Sequence, residues 1–234
     1  MHKEIIRNPT TQKKISNPAP ISYIPSELFE RSLSNYEENN FALYLKKLFG
    51  KEVTYQLIKQ YQIGTSKKWN NSTIFWQVDI LGKIRTGKIM LYDPITGKRI
   101  KKPYNHISWV HSSLKDSTFN LQQCFFGEHL LQDETLKPVA IVESEKTAII
   151  ASFYLPEFIW LAVGSINNLS TERCKVLQGR NVVLYPDLNA FDKWQQKAMA
   201  LSGVANFKVS DLLESNASEP EKQQGLDLGD YLFG

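Results

Sequence analysis

The spacing of apolar residues changes twice along the chain. Between residues 39 and 64, apolar side chains recur at helical spacing and are interrupted at Gly50 and Gly64, which predicts two consecutive helices. Residues 72–102 instead alternate, are rich in β-branched and aromatic residues, and contain turn sequences at "LGK" and "DPITGK". This second pattern predicts an antiparallel meander. From residue 138 onward, short continuous apolar runs alternate with amphipathic segments, which predicts repeated strand and helix pairs.

Four apolar runs in the second half are the expected strands: "PVAIVE", "EFIWLAVG", "NVVLYPD" and "VANFKVS". Continuous apolar strands that alternate with amphipathic helices are typical of a parallel sheet covered by helices on both faces. We therefore predict an α/β fold in which a smaller, basic α+β subdomain precedes the parallel sheet. The expected division is an extended Asn- and Pro-rich arm at residues 1–36, the subdomain at 37–135 and the α/β domain at 136–234.

Charge is distributed unevenly between the two halves. Residues 1–137 contain 20 Lys and Arg against 12 Asp and Glu, a net charge of +8, whereas residues 138–234 contain 8 against 12, a net charge of −4. This asymmetry fits a first half that binds a polyanion and a second half that holds cations, although scattered solvated lysines would produce it as well. No apolar run is long enough to span a membrane, and the N-terminal residues lack the apolar core of a signal peptide, so we expect a cytoplasmic protein. The two cysteines, Cys124 and Cys174, stand apart and indicate neither a disulfide framework nor a zinc site.

Polar side chains follow the predicted strands where active sites of parallel sheets are built. Glu143 ends the first strand, Asp187 ends the third, and Asn189 and Asp192 follow within five residues. Carboxylates on neighbouring strand ends can share Mg²⁺ or Mn²⁺, because these ions prefer oxygen ligands. The alternative is that these residues simply end strands, as Asp and Asn commonly do.

A cluster of cations in the meander is the second set of candidate functional residues. Aromatic residues such as Trp69 and Tyr104 are interleaved with it, and together such side chains can neutralise phosphates and stack on bases of a single strand. The alternatives are core packing for the aromatic residues and a solvated hairpin tip for the lysines. The cations fall within twenty residues and comprise Lys83, Arg85, Lys88, Lys98, Arg99, Lys101 and Lys102.

Three segments, "IVESEKTA", "AVGSINNL" and "VVLYPDLNAFDKW", resemble the signature of the Toprim domain of primases and topoisomerases. The resemblance implies a Toprim-like Rossmannoid sheet, with Glu143 as general acid/base or metal ligand and Asp187 as metal ligand. It also implies that Lys146 contacts a phosphate, and the alternative for this lysine is a surface salt bridge. Asn189 stands where the family has a second aspartate, which weakens the attraction for a second metal ion, and Asp192 is a less secure substitute.

The segment before the Toprim-like part resembles the N-terminal subdomain of the bacterial primase core, and "GLDLGDYLF" resembles the acidic segment that closes such domains. In that last segment Asp227 and Asp230 supply a third carboxylate position or cap a terminal helix. The Cys/His zinc ribbon of bacterial primases has no counterpart in these residues.

The resemblance implies a primase-like protein of a plasmid, phage or other mobile element. It would bind single-stranded DNA, make primers from NTPs with Mg²⁺ or Mn²⁺, and work with a replicative helicase. The alternatives are a Toprim nuclease, a non-catalytic nucleic-acid-binding protein whose metal site has decayed, and, third among the enzymes, a topoisomerase. No membrane partner is expected.

Overall fold

The computed structural model describes residues 19–233 of the chain. These residues form two four-stranded sheets, and helices pack around both. The strands are β1 (Gly64–Ser66), β2 (Ser72–Val78), β3 (Ile84–Met90), β4 (Ile107–Trp109), β5 (Val139–Val142), β6 (Ile159–Ala162), β7 (Asn181–Leu184) and β8 (Asn206–Val209). The helices are α1 (Ser26–Ser32), α2 (Asn40–Gln60), α3 (Val110–Ser113), α4 (Glu145–Tyr154), α5 (Thr171–Cys174), α6 (Phe191–Ala200), α7 (Leu212–Asn216), α8 (Glu219–Gln224) and α9 (Leu228–Leu232). Among these residues, no helix combines the length and the apolar character that crossing a membrane requires.

The first sheet is an antiparallel meander in the order β1–β2–β3–β4. The strands β2 and β3 lie in the segment 72–102 where the alternation predicts a meander, whereas β1 and β4 lie outside it. The β2–β3 turn is stabilised by Asp79, whose carboxylate accepts hydrogen bonds from the backbone amides of Leu81 and Lys83. The two predicted helices before the sheet are the two segments of α2, which a non-helical Gly50 separates as predicted. Gly50 has φ of 78°, a left-handed value that glycine adopts without steric cost, so the helix direction changes there.

The second sheet is parallel throughout, in the order β6–β5–β7–β8. Alternate residues of β5 face opposite sides of it. Ala140 and Val142 pack in the same core as α4, while Val139 and Ile141 pack in the core that contains Trp194 of α6. Helices therefore cover both faces, and the predicted α/β fold class is confirmed.

An aromatic cluster joins the two sheets. The Phe126 ring stacks on Tyr61 with 5.3 Å between centroids and meets Phe75 edge-on at 5.6 Å. The Tyr61 hydroxyl donates to the Trp160 carbonyl at 3.2 Å, and Phe126 pairs with Ala162 through both backbone hydrogen bonds. Because these contacts form one core, they fix the two sheets relative to each other. The boundary predicted at residues 135 and 136 lies in the connection between the sheets, and the division into separate domains stays a prediction.

The N-terminal arm needs a correction. Residues 1–18 lie outside the described residues, but within the predicted extended segment at 1–36 the structure contains helix α1. This helix packs on the first sheet: the Phe29 ring meets Trp76 at 5.5 Å, and the Trp76 indole N–H donates to Ser32 Oγ at 2.9 Å. The helix is only seven residues long. So short a segment carries no clear helical periodicity in sequence, and packing on the sheet stabilises it.

Candidate functional site

A cleft of about 900 Å³ lies between the two sheets at the carboxyl ends of β5 and β7. Strand β3 and the loop after it form one wall, the strand ends and the start of α4 form the opposite wall, and residues 224–230 close one side. The charged residues that line the cleft are Lys88, Lys98, Arg99, Lys101, Glu143, Glu145, Lys146, Asp187, Asp227 and Asp230.

Glu143 and Asp187 lie in this cleft because β5 and β7 are neighbouring parallel strands, with Ile141 opposite Leu184 in the register. Gly164 supports the Glu143 backbone by donating its N–H to the Glu143 carbonyl at 2.8 Å. Burial raises the pKa of the Glu143 carboxyl, which is opposed by a hydrogen bond from the backbone amide of Ile166 and by the charge of Lys88. The structure thus brings together the two carboxylates that the sequence identified.

Asp187 carries the most perturbed carboxyl of the cleft. Burial, followed by the negative charges of Asp227, Glu143 and Asp230, raises its pKa to about 7. Burial and three neighbouring carboxylates thus make the charged form of Asp187 unfavourable, and a divalent cation bound beside it would offset this cost. In the described part of the chain no three Asp, Glu, His or Cys side chains are arranged as a ready metal site. A Mg²⁺ ion with one or two protein carboxylates completes its shell with water and substrate phosphates, and Glu143 and Asp187 fit that donor set.

Asp227 and Asp230 cap the terminal helix, which is one of the two roles that the sequence left open, and supplying a third carboxylate position stays a prediction. Asp227 and Asp230 form a capping box at the start of α9, in which each side chain accepts the backbone N–H of the other residue. Both also line the cleft. The second Asp227 oxygen accepts a hydrogen bond from Thr147 Oγ1 at 2.7 Å, which connects the C-terminal segment to α4.

Asn189 and Asp192 lie outside the lining of the cleft. Asn189 has φ of 65°, and its side-chain amide donates to the Lys222 carbonyl at 2.6 Å. Its backbone N–H donates to Glu214 Oε2 at 3.1 Å, so the residue connects the loop after β7 to the C-terminal helices. Asp192 is exposed in the first turn of α6. The structure does not bring either side chain to the cleft beside Asp187.

The basic residues separate into two groups. Lys88, Lys98, Arg99 and Lys101 line the cleft, and the exposed Lys102 follows directly after them. Lys88 is engaged within the fold, because its ammonium pairs with Glu145 at 3.0 Å while the two side chains are 12% and 4% exposed.

Two predicted cations lie away from the cleft on the β2–β3 hairpin. Lys83 is exposed next to its turn. Arg85 pairs with Asp79 at 2.6 Å, and its guanidinium lies over the Tyr23 ring, so this arginine stabilises the fold.

The loop that carries Lys98 and Arg99 has a defined position on α2. A Cβ atom at Gly97 would overlap the Tyr44 ring, so only glycine allows this contact. The Asp93 carboxylate accepts the backbone N–H groups of Ile95 and Thr96, and Lys47 of α2 donates to the Ile95 carbonyl. These contacts therefore fix the position of the loop that carries Lys98 and Arg99.

Sequence reasoning missed two parts of the site. The Lys88–Glu145 pair joins residues 57 positions apart, and no local pattern indicates such a contact. The C-terminal segment around α8 was also missed, although "SEPE" places Ser218 as N-cap, a proline in the first turn and Glu221 at the third helical position. This is a capping-box signature that marks a helix start in sequence.

Comparison with known proteins identifies the family. A family described as "Domain of unknown function (DUF6371)" matches residues 39–188, which extend from the N-cap of α2 to just beyond Asp187. The chain belongs to this family. No curated protein sequence matches the chain.

Solved structures with a similar fold are catalytic cores of primases. The E. coli primase catalytic core is 12% identical with a TM-score of 0.51, and the match covers 88% of this chain and 80% of that one. The RNA polymerase domain of Mycobacterium tuberculosis primase DnaG is 8% identical with a TM-score of 0.54, covering 86% and 80%. A DnaG primase catalytic domain bound to ssDNA is 13% identical with a TM-score of 0.52, covering 89% and 82%. At these identities the shared property is the fold.

Proposed function

We propose that this protein is a primase-like nucleotidyltransferase with a Toprim-type active site, which acts on single-stranded DNA and uses NTPs and Mg²⁺ or Mn²⁺. The observation that carries the proposal is the cleft with walls of opposite charge: the half-buried carboxylates Glu143 and Asp187 face the cations Arg99 and Lys101. A site for a metal–nucleotide complex needs both, because carboxylates hold the metal and cations bind the remaining phosphate charge. The primase-like fold and the three Toprim-like sequence segments support the same assignment.

Each residue has a defined role in the proposed reaction. Asp187 and Glu143 would hold Mg²⁺, which when bound neutralises phosphate charge and polarises the phosphoryl group. Arg99 and Lys101 bind phosphate oxygens from the opposite wall, and Lys146 does so from the first turn of α4. A primer hydroxyl oxygen forms a bond to the α-phosphorus of the incoming nucleotide, the bond from that phosphorus to the bridging oxygen breaks, and pyrophosphate leaves. Glu143 accepts the hydroxyl proton.

A metal titration tests the proposal most directly. Calorimetry with Mg²⁺ and with Mn²⁺ should show saturable binding to the wild type and none to the Glu143→Gln/Asp187→Asn variant. Both substitutions keep the side-chain shape and remove the charge. Primer synthesis on a single-stranded template should fall by about 100-fold or more in the same variant, the range found when groups that stabilise a transition state are removed. Asp192→Asn is the matched control, since it removes an exposed carboxylate that does not line the cleft.

The outcomes separate the candidate functions. Metal binding with strand cleavage and no primer synthesis would indicate a Toprim nuclease. Oligonucleotide binding without any metal binding, up to millimolar Mg²⁺ and with nucleotide present, would contradict the catalytic proposal and indicate a non-catalytic nucleic-acid-binding protein.

A further inference from the structure

Three aromatic side chains form a continuous stack on the first sheet, beside the cleft but outside it. The Tyr104 ring lies on His106 with 4.5 Å between centroids and 30° between planes. The His106 ring in turn meets Trp69 edge-on at 5.2 Å. Tyr104 is 56% exposed although it packs on His106, so the opposite face of its ring is open to solvent.

The base of this stack is fixed by hydrogen bonds. His106 Nδ1 bonds to the Ile100 carbonyl at 3.0 Å, which sets the orientation of the imidazole ring. The His106 carbonyl accepts the backbone N–H of Leu91. On the other side, Lys68 donates to Ser108 Oγ at 2.6 Å and lies over the Trp69 ring at 5.5 Å. A flat aromatic surface that is already ordered loses little conformational entropy when a ligand stacks on it.

In the two chain segments that contain these aromatic residues, all Lys, Arg, Asp and Glu positions are occupied by the positively charged types. No Asp or Glu occurs between residues 94 and 115, and none occurs between residues 53 and 78. Exposed cations precede the aromatic residues in both chain segments. Lys101 and Lys102 come before Tyr104, and Lys67 and Lys68 come before Trp69. Lys101 lines the cleft, and Tyr104 follows it by three residues, a chain distance of at most about 11 Å. The stack is therefore continuous with the basic wall of the cleft.

We propose that the open face of Tyr104 binds an unpaired nucleobase of a single-stranded nucleic acid, while Lys101, Lys102 and Lys67 bind the adjacent phosphates. An aromatic surface with cations on either side binds a single strand, because a base and its backbone phosphate must be accommodated together. A duplex is excluded from this contact, since its bases are paired and stacked on one another. The inference deepens the proposed function by assigning a base-binding position on the strand that reaches the cleft.

Oligonucleotides with and without bases test this position. Fluorescence anisotropy is measured with a labelled oligothymidylate of about 12 nucleotides and with an abasic oligonucleotide of the same length and charge. The wild type should bind the abasic strand about tenfold more weakly, because the stacking of a base on Tyr104 is lost. Tyr104→Ala should bind oligothymidylate about tenfold more weakly than the wild type and should discriminate less between the two strands. Tyr104→Phe should retain the wild-type behaviour, since it keeps the ring.

Two controls separate stacking from charge and from misfolding. The dependence of affinity on salt should be the same in wild type and Tyr104→Ala, because no cation is removed. Tyr154→Ala, which removes an aromatic ring that is 40% exposed elsewhere, should bind like the wild type.

Two negative results would have different meanings for the base-binding position and for the proposed function. If Tyr104→Ala discriminates against the abasic strand as strongly as the wild type does, base stacking at Tyr104 is wrong and the proposed nucleotidyl transfer stands. If the wild type binds neither strand at low salt, the base-binding position and the proposed function both fail.

Discussion

The two walls of the cleft obtain their charge in opposite ways. The acidic wall consists mainly of partly buried carboxylates at strand ends and helix caps, and burial followed by their mutual repulsion raises the pKa of Asp187 to about 7. The basic wall consists mainly of exposed side chains on a loop, such as Lys98 and Arg99. The energy of a buried charge depends strongly on its position and on neighbouring charges, whereas water and salt weaken the interactions of exposed charges. We therefore expect the acidic wall to determine chemistry and the basic wall to determine affinity and its dependence on salt.

Lys88 belongs to the basic wall, but unlike the loop cations it is largely buried. Removing its side chain should have the largest effect on stability. Its ammonium is paired with Glu145, which is only 3% exposed. Lys88→Ala leaves this carboxylate buried and unpaired, so the free energy of unfolding should fall by about 3 kcal/mol in urea denaturation. The double variant Lys88→Met/Glu145→Leu should recover most of that loss, because it removes both charges. A loss below about 0.5 kcal/mol in the single variant would show that the pair behaves like an exposed one.

The next effect concerns pH and the acidic wall. The ordinary pKa of an aspartate is 3.8, whereas the pKa of Asp187 in the folded protein is about 7. At pH values between these two, the folded state therefore binds more protons than the unfolded state. Stability should therefore fall as pH rises from about 4 to 7. Asp187→Asn removes the charge and should raise the free energy of unfolding at pH 8 by about 2 kcal/mol, with little change at pH 4. Thermal denaturation of both proteins at the two pH values measures this, and an equal change at both would contradict it.

The basic wall should show a smaller effect that depends on salt. Arg99→Ala/Lys101→Ala should weaken oligonucleotide binding by about tenfold at low salt and reduce the slope of log affinity against log salt by about 2. Lys83→Ala removes one exposed cation of the same type on the hairpin away from the cleft. If Lys83→Ala reduces the slope of log affinity against log salt by as much per removed charge as the double variant does, the protein binds nucleic acid through its overall charge and not through the cleft wall.

The smallest expected effect tests the connection of the C-terminal segment to the acidic wall. Asn189→Asp replaces the N–H donor to the Lys222 carbonyl with an acceptor and should free the segment around α8. Tryptic cleavage after Lys222 should become about threefold to tenfold faster, corresponding to the loss of one hydrogen bond. Asn206→Asp is the control, since Asn206 lies on β8 and bonds to Asn181. Unchanged cleavage in Asn189→Asp would show that this bond does not hold the segment.

The parts of the structure that the sequence predicts are those that repeat a pattern. Period-2 alternation identified the meander, and the strand–helix repeats identified the parallel sheet, because both patterns reflect one buried face over many residues. Glu143 and Asp187 could be placed together since neighbouring parallel strands end at the same edge. The short helix α1 could not be predicted, because it depends on packing against the first sheet, whereas α8 has a capping-box signature in its sequence that was overlooked. The orientation of Asn189 depends on the Lys222 carbonyl, 33 residues away, and is a tertiary property.

The aromatic cluster of Tyr61, Phe75 and Phe126 has a consequence for how a polymer would move through the cleft. Many enzymes close two lobes around a substrate and must reopen them before product departs, and that opening often limits turnover. Here the cluster packs both walls into one core, so a change in the width of the cleft would require that core to repack. Under the proposed function, a strand would advance along this cleft as its phosphates exchange between cations. The rate of advance would then follow ionic strength and not a conformational gate.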